Sequence, residues 1–122
     1  MSTQNGEFTR SIAQNVMTNV VQSQGANINA VYGHDDECAI GAIQALKAAG
    51  YKPGADIAVV GVGGFRDAAL LIQQNEMDAT VLCSPFFGPT AFDAVEKLTK
   101  GEKLPTYIQN PGRVIRKSGL IP

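Results

Sequence analysis

The 122-residue sequence predicts an α/β domain, a three-layer sandwich with a mostly parallel sheet between helices. Two observations carry this. Helix-period and strand-like segments alternate along the chain, α-β-α-β-α-β-α-β, the order that builds parallel strands joined by right-handed crossovers. The runs Ile28–Gly33 and Asp56–Val62 are short, mostly apolar and bounded by polar or turn residues, as in strands covered on both faces.

Residues 2–6 are polar and read as a loose lead-in. From Thr9 to about Gln24 the pattern is helical. Ile12, Val16 and Val20 recur at i, i+4 and i+8, and Ala13, Met17 and Val21 widen the stripe. Thr9 is placed to cap this helix, with Phe8 just before the cap. Gly25-Ala26-Asn27 ends it and leads into the strand Ile28–Gly33. The stretch His34-Asp35-Asp36-Glu37 makes a polar corner, and Asp36 is expected to cap the next helix. That helix carries Ala39, Ile43 and Leu46 as its apolar stripe, with Ile40 beside them, and Gly50 as a left-handed stop.

Lys52-Pro53-Gly54 is a turn. Asp56–Val62 is the second strand, followed by Gly63-Gly64 and a short helix from Arg66 to Asn75 with Leu70, Leu71 and Ile72. Asp78–Cys83 is the third strand, broken by Ser84-Pro85. Pro89 suits the first turn of a helix running to Lys100, with Ala91, Val95 and Leu98 as its stripe and Gly101 as its stop. Short strands are expected at Thr106–Gln109 and Arg113–Arg116, then a tail. A domain of this type usually opens on a strand, so the N-terminus reads as cut inside a β-α unit.

Composition narrows the function classes. Hydrophobic residues are 44% and charged residues 17%, ordinary for a globular domain, and the formal net charge is -1. No basic block points to nucleic acid. No apolar run approaches the roughly 20 residues of a membrane span. The start lacks the apolar segment of a signal peptide, so the chain as written reads as cytoplasmic. Cys38 and Cys83 form no CxxC and read as buried free thiols. With His34 as the single histidine, no metal or other cofactor is expected.

In an open parallel sheet, ligands sit off the carboxyl ends of the strands, which places the polar corner at the expected site. The run Val60–Phe65, VGVGGF, falls short of a dinucleotide fingerprint because its third glycine position is Arg66. Glycine there serves a tight turn or the close approach of a ligand. Asp36 and Glu37 read as capping and solvated surface, while Asp35 points from the strand end toward the cleft. No second titratable group converges on Asp35, so no acid/base or nucleophilic machinery is expected and the chain reads as a non-enzyme. Phe8 is either a hydrophobic staple onto the first helix or a stacking face for a ring-shaped ligand. Arg10 is either a first-turn surface residue or a donor to ligand hydroxyls.

Four stretches, in order, resemble the type I periplasmic sugar-binding proteins of ABC transporters, closest to the ribose/galactose/galactofuranose branch. NAVYGHDDECAIGAIQALKAAG is similar to their "aVfa-N-D-e-mA-lGAi-Ai--aG" stretch, and KPGADIAVVGVGGFRDA to "pgkDi-vvg-DG--da". DATVLCSPFFGPTAFDAVEKLTKGEKLP is similar to "atv-q-P---G--a-d-a-k---Gk--p", and GEFTRSIAQNVMTNVV to "dfdr--g--vm-n-l". The resemblance runs from about Gly6 to Tyr107 and covers the C-terminal part of such a protein. It implies that residues 1–122 form a single flavodoxin-like lobe, half of a two-lobed molecule, with residues 86–122 crossing the hinge in a full-length member.

It also implies the function, the carbohydrate-binding lobe of a transporter's substrate-binding protein, with a sugar and an ABC permease as partners and a periplasmic location. The family's sugar contacts fall on Phe8 (stacking ring), Arg10, Asp35 (an asparagine in the family), Gly63 (an aspartate) and Cys83 (a glutamine or asparagine). The last two lack strong polar groups, so the site is expected to be impaired, with weak or no sugar binding by this chain alone. Restoring a carboxylate at Gly63 is expected to help only in a two-lobed protein.

The ligand-sensing core of a LacI-type regulator shares this fold and is the alternative, but no DNA-binding headpiece is present. A ligand-free flavodoxin-like module that self-associates is the third reading. A homodimer is expected, with fold-back of one helix in a monomer as the other outcome. In the family, the helix corresponding to Pro89–Lys100 packs on the other lobe. Here its stripe, with Phe86, Phe87 and Phe92 nearby, must fold back onto its own sheet or exchange with a second copy.

Overall fold

A computed structural model describes residues 1–110 and 112–119. The chain runs through α1 (Arg10–Gln24), a 3-10 turn at Gly25–Asn27, β1 (Ala30–Tyr32), α2 (Asp36–Ala48), β2 (Ala58–Gly63), α3 (Arg66–Gln73), β3 (Ala79–Leu82), α4 (Gly88–Thr99) and β4 (Val114–Arg116). The sheet order is β1-β2-β3-β4. The first three strands are parallel and β4 runs antiparallel to β3. The mostly parallel α/β sheet is thus as the alternation predicts. Gly50 and Gly101 stop their helices at φ 87° and 75°, where a side chain would be strained.

Three expectations are corrected. Thr106–Gln109 is exposed loop, not strand; β3 takes Val114–Arg116 as its outer neighbour instead, and Tyr107 stands in water. Thr9 occupies the N-cap of α1 without a side-chain cap bond, because its hydroxyl donates to the Glu7 carbonyl at 2.9 Å. The strand expected to be covered on both faces, β1, is an edge strand whose Ala30 and Tyr32 are exposed. The expected tail at residues 120–122 lies outside the described residues.

The core centres on α2. Ala39, Ile43 and Leu46 are buried as the periodicity predicts, and so are Ala42 and Ala45 on the flank. Burial on two sides arises because the sheet lies on one side of α2 and α1 on another. The crossing with α1 falls at Gly41, where a methyl group would overlap the Arg10 carbonyl, so only glycine permits the approach. α1 accordingly buries Ala13 and Met17, the small inner edge of its stripe, and leaves Val16 and Val20 half-buried. Ile57, Val59, Ala68, Ile72 and Met77 complete the cluster. Each large side chain buried here contributes roughly 1.5–3 kcal/mol of hydrophobic free energy.

The two faces of the sheet differ. Val59, Gly61 and Thr80 face α2 and α3 and are buried. The rows on the opposite face, Tyr32–Val60–Ala79 and Val62–Val81–Val114 by register, are exposed or half-buried. The described residues therefore build the sheet and the helical cover of one face. α4 does not cover the second: none of its residues is buried.

Candidate functional site

The carboxyl ends of β1, β2 and β3 and the N-terminal turn before α1 meet at one end of the sheet, and all five expected site residues lie there. The anchor of this end is Asp36, which the sequence suggests is a solvated capping residue. It is instead completely buried. The cap of α2 is Asp35, whose Oδ1 accepts the Glu37 N–H at 2.8 Å. The shift of one position follows from geometry. The residue that caps must keep extended dihedrals, and Asp35 does at φ -146° and ψ 150°. Asp36 is the first helical residue and its side chain turns inward over the sheet.

There the Asp36 carboxylate accepts the Thr80 hydroxyl at 2.6 Å and the Phe65 N–H at 2.8 Å. Thr80 Oγ1 in turn accepts the Gly64 N–H at 3.2 Å. One buried carboxylate thus ties the start of α2, the turn after β2 and the middle of β3 together, with its lone pairs used by donors. The glycine run acquires its reason here. A methyl at Gly61 would overlap Asp36 Oδ1, and one at Gly63 would lie 3.0 Å from Oδ2. The glycines clear room for an internal carboxylate, not for a ligand phosphate. A threonine inside the apolar strand ATVL was the available sequence signal for a buried polar partner.

Arg10 is committed to protein. Its guanidinium donates to both oxygens of Glu37 at 2.8 Å and to Asp67 at 2.9 Å, bracing the starts of α1, α2 and α3. Hydrogen bonding to Glu37 and then Asp67 holds it still more firmly in its charged form. With all three groups about a third to a half exposed, the cluster sits at the surface rather than in the core. Glu37 is therefore an ion-pair partner, not free surface.

Phe8 is exposed at 73%, so it does not staple the helix. Glu7 and Phe8 both hold left-handed backbones at φ 51°, unusual for side chains of this size. The turn is closed by the Thr9 N–H to Gly6 carbonyl bond at 3.0 Å. Gly6 of this turn packs on Cys38, whose sulfur would lie 2.9 Å from a methyl group added there, and burial pushes the Cys38 thiol up. Phe8, Gly33, His34 and Cys38 line one end of a groove of about 660 Å³ between α1 and β1. His34 packs against Tyr32 with ring centroids 4.7 Å apart and ring planes tilted by 45°.

Asp35, half-buried, spends one oxygen on its cap and keeps Oδ2 without a partner among the described residues. Gly63 and Cys83 are neighbours, joined by the Cys83 N–H to Gly63 carbonyl bond at 3.2 Å. The expected burial of both thiols is corrected: Cys38 is half-buried and Cys83 is exposed, since β3 ends one residue earlier. Among the described residues, no cluster of His, Cys, Asp or Glu could hold a metal ion, and no helix is long and apolar enough to cross a membrane.

Comparison with known proteins gives the arrangement its context. The chain is 41% identical over 104 residues to the galactofuranose-binding protein of Escherichia coli (strain K12), covering 84% of this chain and 33% of that protein. It is 34% identical over 109 residues to the ribose import binding protein of Bacillus subtilis (strain 168), covering 88% and 34%. Among solved structures, the arabinose ABC transporter's periplasmic binding protein from Shewanella sp. ANA-3, bound to α- and β-L-arabinofuranose, matches with a TM-score of 0.79. That match has 41% identity and covers 92% of this chain and 38% of the other.

The chain thus spans about a third of the length of the curated relatives it matches. These relatives are binding proteins of transport, not enzymes, and they lend no support to a regulator. Residues 2–103 match the periplasmic binding protein domain along most of the chain, and the chain belongs to that family.

Proposed function

We propose that this chain is a carbohydrate-binding lobe of an ABC transporter's substrate-binding protein, with a furanose or related sugar as ligand. The observation that carries the reading is Phe8. A left-handed turn packed on Cys38 holds an aromatic ring in water at the sheet end where β1, β2 and β3 terminate, and backbone strain of this kind clusters at ligand sites. An aromatic face offers a sugar ring its apolar side, and Asp35 Oδ2 offers an acceptor to its hydroxyls.

Arg10 would act by positioning, because its donors already serve Glu37 and Asp67. Gly63 and Cys83 line the site through backbone and a weakly polar thiol. Residues 86–122 would run on across a hinge toward a second lobe. The permease partner and a periplasmic location belong to the same proposal, and so does two-fold self-association of the isolated chain.

The test is an NMR titration of the chain with galactose, ribose and arabinose. Amide shifts should move around Phe8, Asp35 and Cys83, with a dissociation constant weaker than about 0.1 mM on the usual affinity scale. Absence of any shift at about 50 mM sugar, far above the weak-binding range, would overturn the reading.

A further inference from the structure

Asn5 is the only asparagine of the chain followed by a glycine, and the fold keeps that glycine. Besides crowding Cys38, a methyl group at Gly6 would lie 3.2 Å from Ala13 Cβ, so packing on α1 and α2 resists a larger residue. Asn5 Oδ1 accepts the Glu7 N–H at 3.0 Å, which folds the side-chain amide forward over the Asn5–Gly6 peptide. Among the described residues, the Gly6 N–H donates to no acceptor. Three features of one chemistry therefore meet within this turn: a backbone nitrogen with no side chain beside it, an amide carbon folded toward it, and an N–H aimed at the amide oxygen.

We propose that Asn5-Gly6 is a self-modification site whose conversion releases the turn that presents Phe8. The Gly6 nitrogen gives its proton to solvent and attacks Asn5 Cγ. Negative charge develops on Oδ1, where the Glu7 N–H already points. The bond from Cγ to the side-chain nitrogen breaks, that nitrogen takes a proton from solvent and leaves as ammonia, and a cyclic imide remains. Water then opens the imide. Opening at the side-chain carbonyl gives aspartate, and opening at the main-chain carbonyl gives isoaspartate. The net change is amide plus water to carboxylate plus ammonium.

Isoaspartate routes the main chain through the former side chain. It inserts a methylene ahead of Gly6, and Oδ1 becomes a peptide oxygen. The Glu7 N–H loses the side-chain acceptor that fixes the start of the turn. Glu7 and Phe8, both held at a left-handed φ of 51°, are then free to relax. The consequence for ligand, loss of the presented ring, rests on the sugar-binding reading above.

The experiment ages the full chain in warm, mildly alkaline buffer. Tryptic mass mapping follows loss of the amide, and methyl transfer by a protein isoaspartyl methyltransferase reports isoaspartate. Conversion should be confined to the tryptic peptide that ends at Arg10, and Asn5→Gln should abolish it, because the longer side chain disfavours ring closure. An Asn5 amide that stays intact in the folded chain while it converts in urea overturns the site.

The isoaspartate form, separated by its extra negative charge, should show displaced amide resonances at Glu7, Phe8 and Thr9, with those of Ile43 and Leu46 in place. Unmoved Phe8 resonances overturn the release of the turn. Sugar-induced shifts at Phe8 should disappear in this form, and their full retention would detach the modification from the ligand site. If the fresh chain shows no sugar-induced shifts, the sugar-binding reading fails, while mass and methyl transfer still decide the modification.

Discussion

At the scale of single residues, the most consequential contact is one that capping rules alone assign to the wrong aspartate. Asp36 is fully buried, and it stays so because Thr80 and the Phe65 N–H use its oxygens. Thr80→Val keeps the shape and removes the hydroxyl, leaving Asp36 Oδ1 and the Gly64 N–H without their bonds. A buried group so orphaned costs about 1–3 kcal/mol, more when charged. Urea unfolding should therefore show a loss of at least about 2 kcal/mol. A change within error would mean that water replaces the hydroxyl and that the network is not a structural tie.

Gly63 bears on the expected effect of a carboxylate at this position. Its φ of 142° suits glycine, and its missing side chain faces Asp36 Oδ2. A Gly63→Asp change would meet both backbone strain and a like charge, with strain of this kind costing of order 1–3 kcal/mol. We predict reduced stability in urea and no gain in sugar-induced shifts. Unchanged stability would show that the turn relaxes and that a carboxylate is admissible there.

At the scale of elements, Arg10 joins three helix starts that no backbone bond connects. Because the cluster is substantially exposed, each of its pairs contributes in the surface range of about 0.2–1 kcal/mol. Arg10→Ala should cost about 1 kcal/mol in all. The difference from wild type should shrink as salt rises from about 0.05 M to about 1 M, where screening shortens the reach of charge. A salt-independent loss would assign the effect to packing of the arginine stem instead. Helix existence and phase were legible because α1, α2 and α4 carry long 3.6-residue patterns. The strand expected at Thr106–Gln109 was a misreading because a four-residue run has no period to test, and a strand forms only where a neighbour offers an edge.

At the scale of the whole molecule, the proposed sugar-binding lobe would supply one wall of a cleft. A ligand pocket normally encloses 70–90% of its ligand, so a single wall forgoes much of the contact and all of the water exclusion. That is why the affinity expected of this chain alone is weaker than about 0.1 mM, and why a micromolar value would mean that a second copy or another surface completes the pocket.

The sequence by itself determined the α/β alternation, the mostly parallel strand direction implied by it, the family resemblance, and the end of the sheet where a site is expected. These depend on periodicity, turn chemistry and motif order, all local to the chain. Only the tertiary structure decided that Asp36 is internal, that Arg10 is already paired, that β1 is an edge, and that among the described residues α4 does not cover the second sheet face. Asp36 and Thr80 are 44 residues apart, and Arg10 lies 57 from Asp67. Contacts at such separations exist only after the strands have set their register, so no local pattern encodes them.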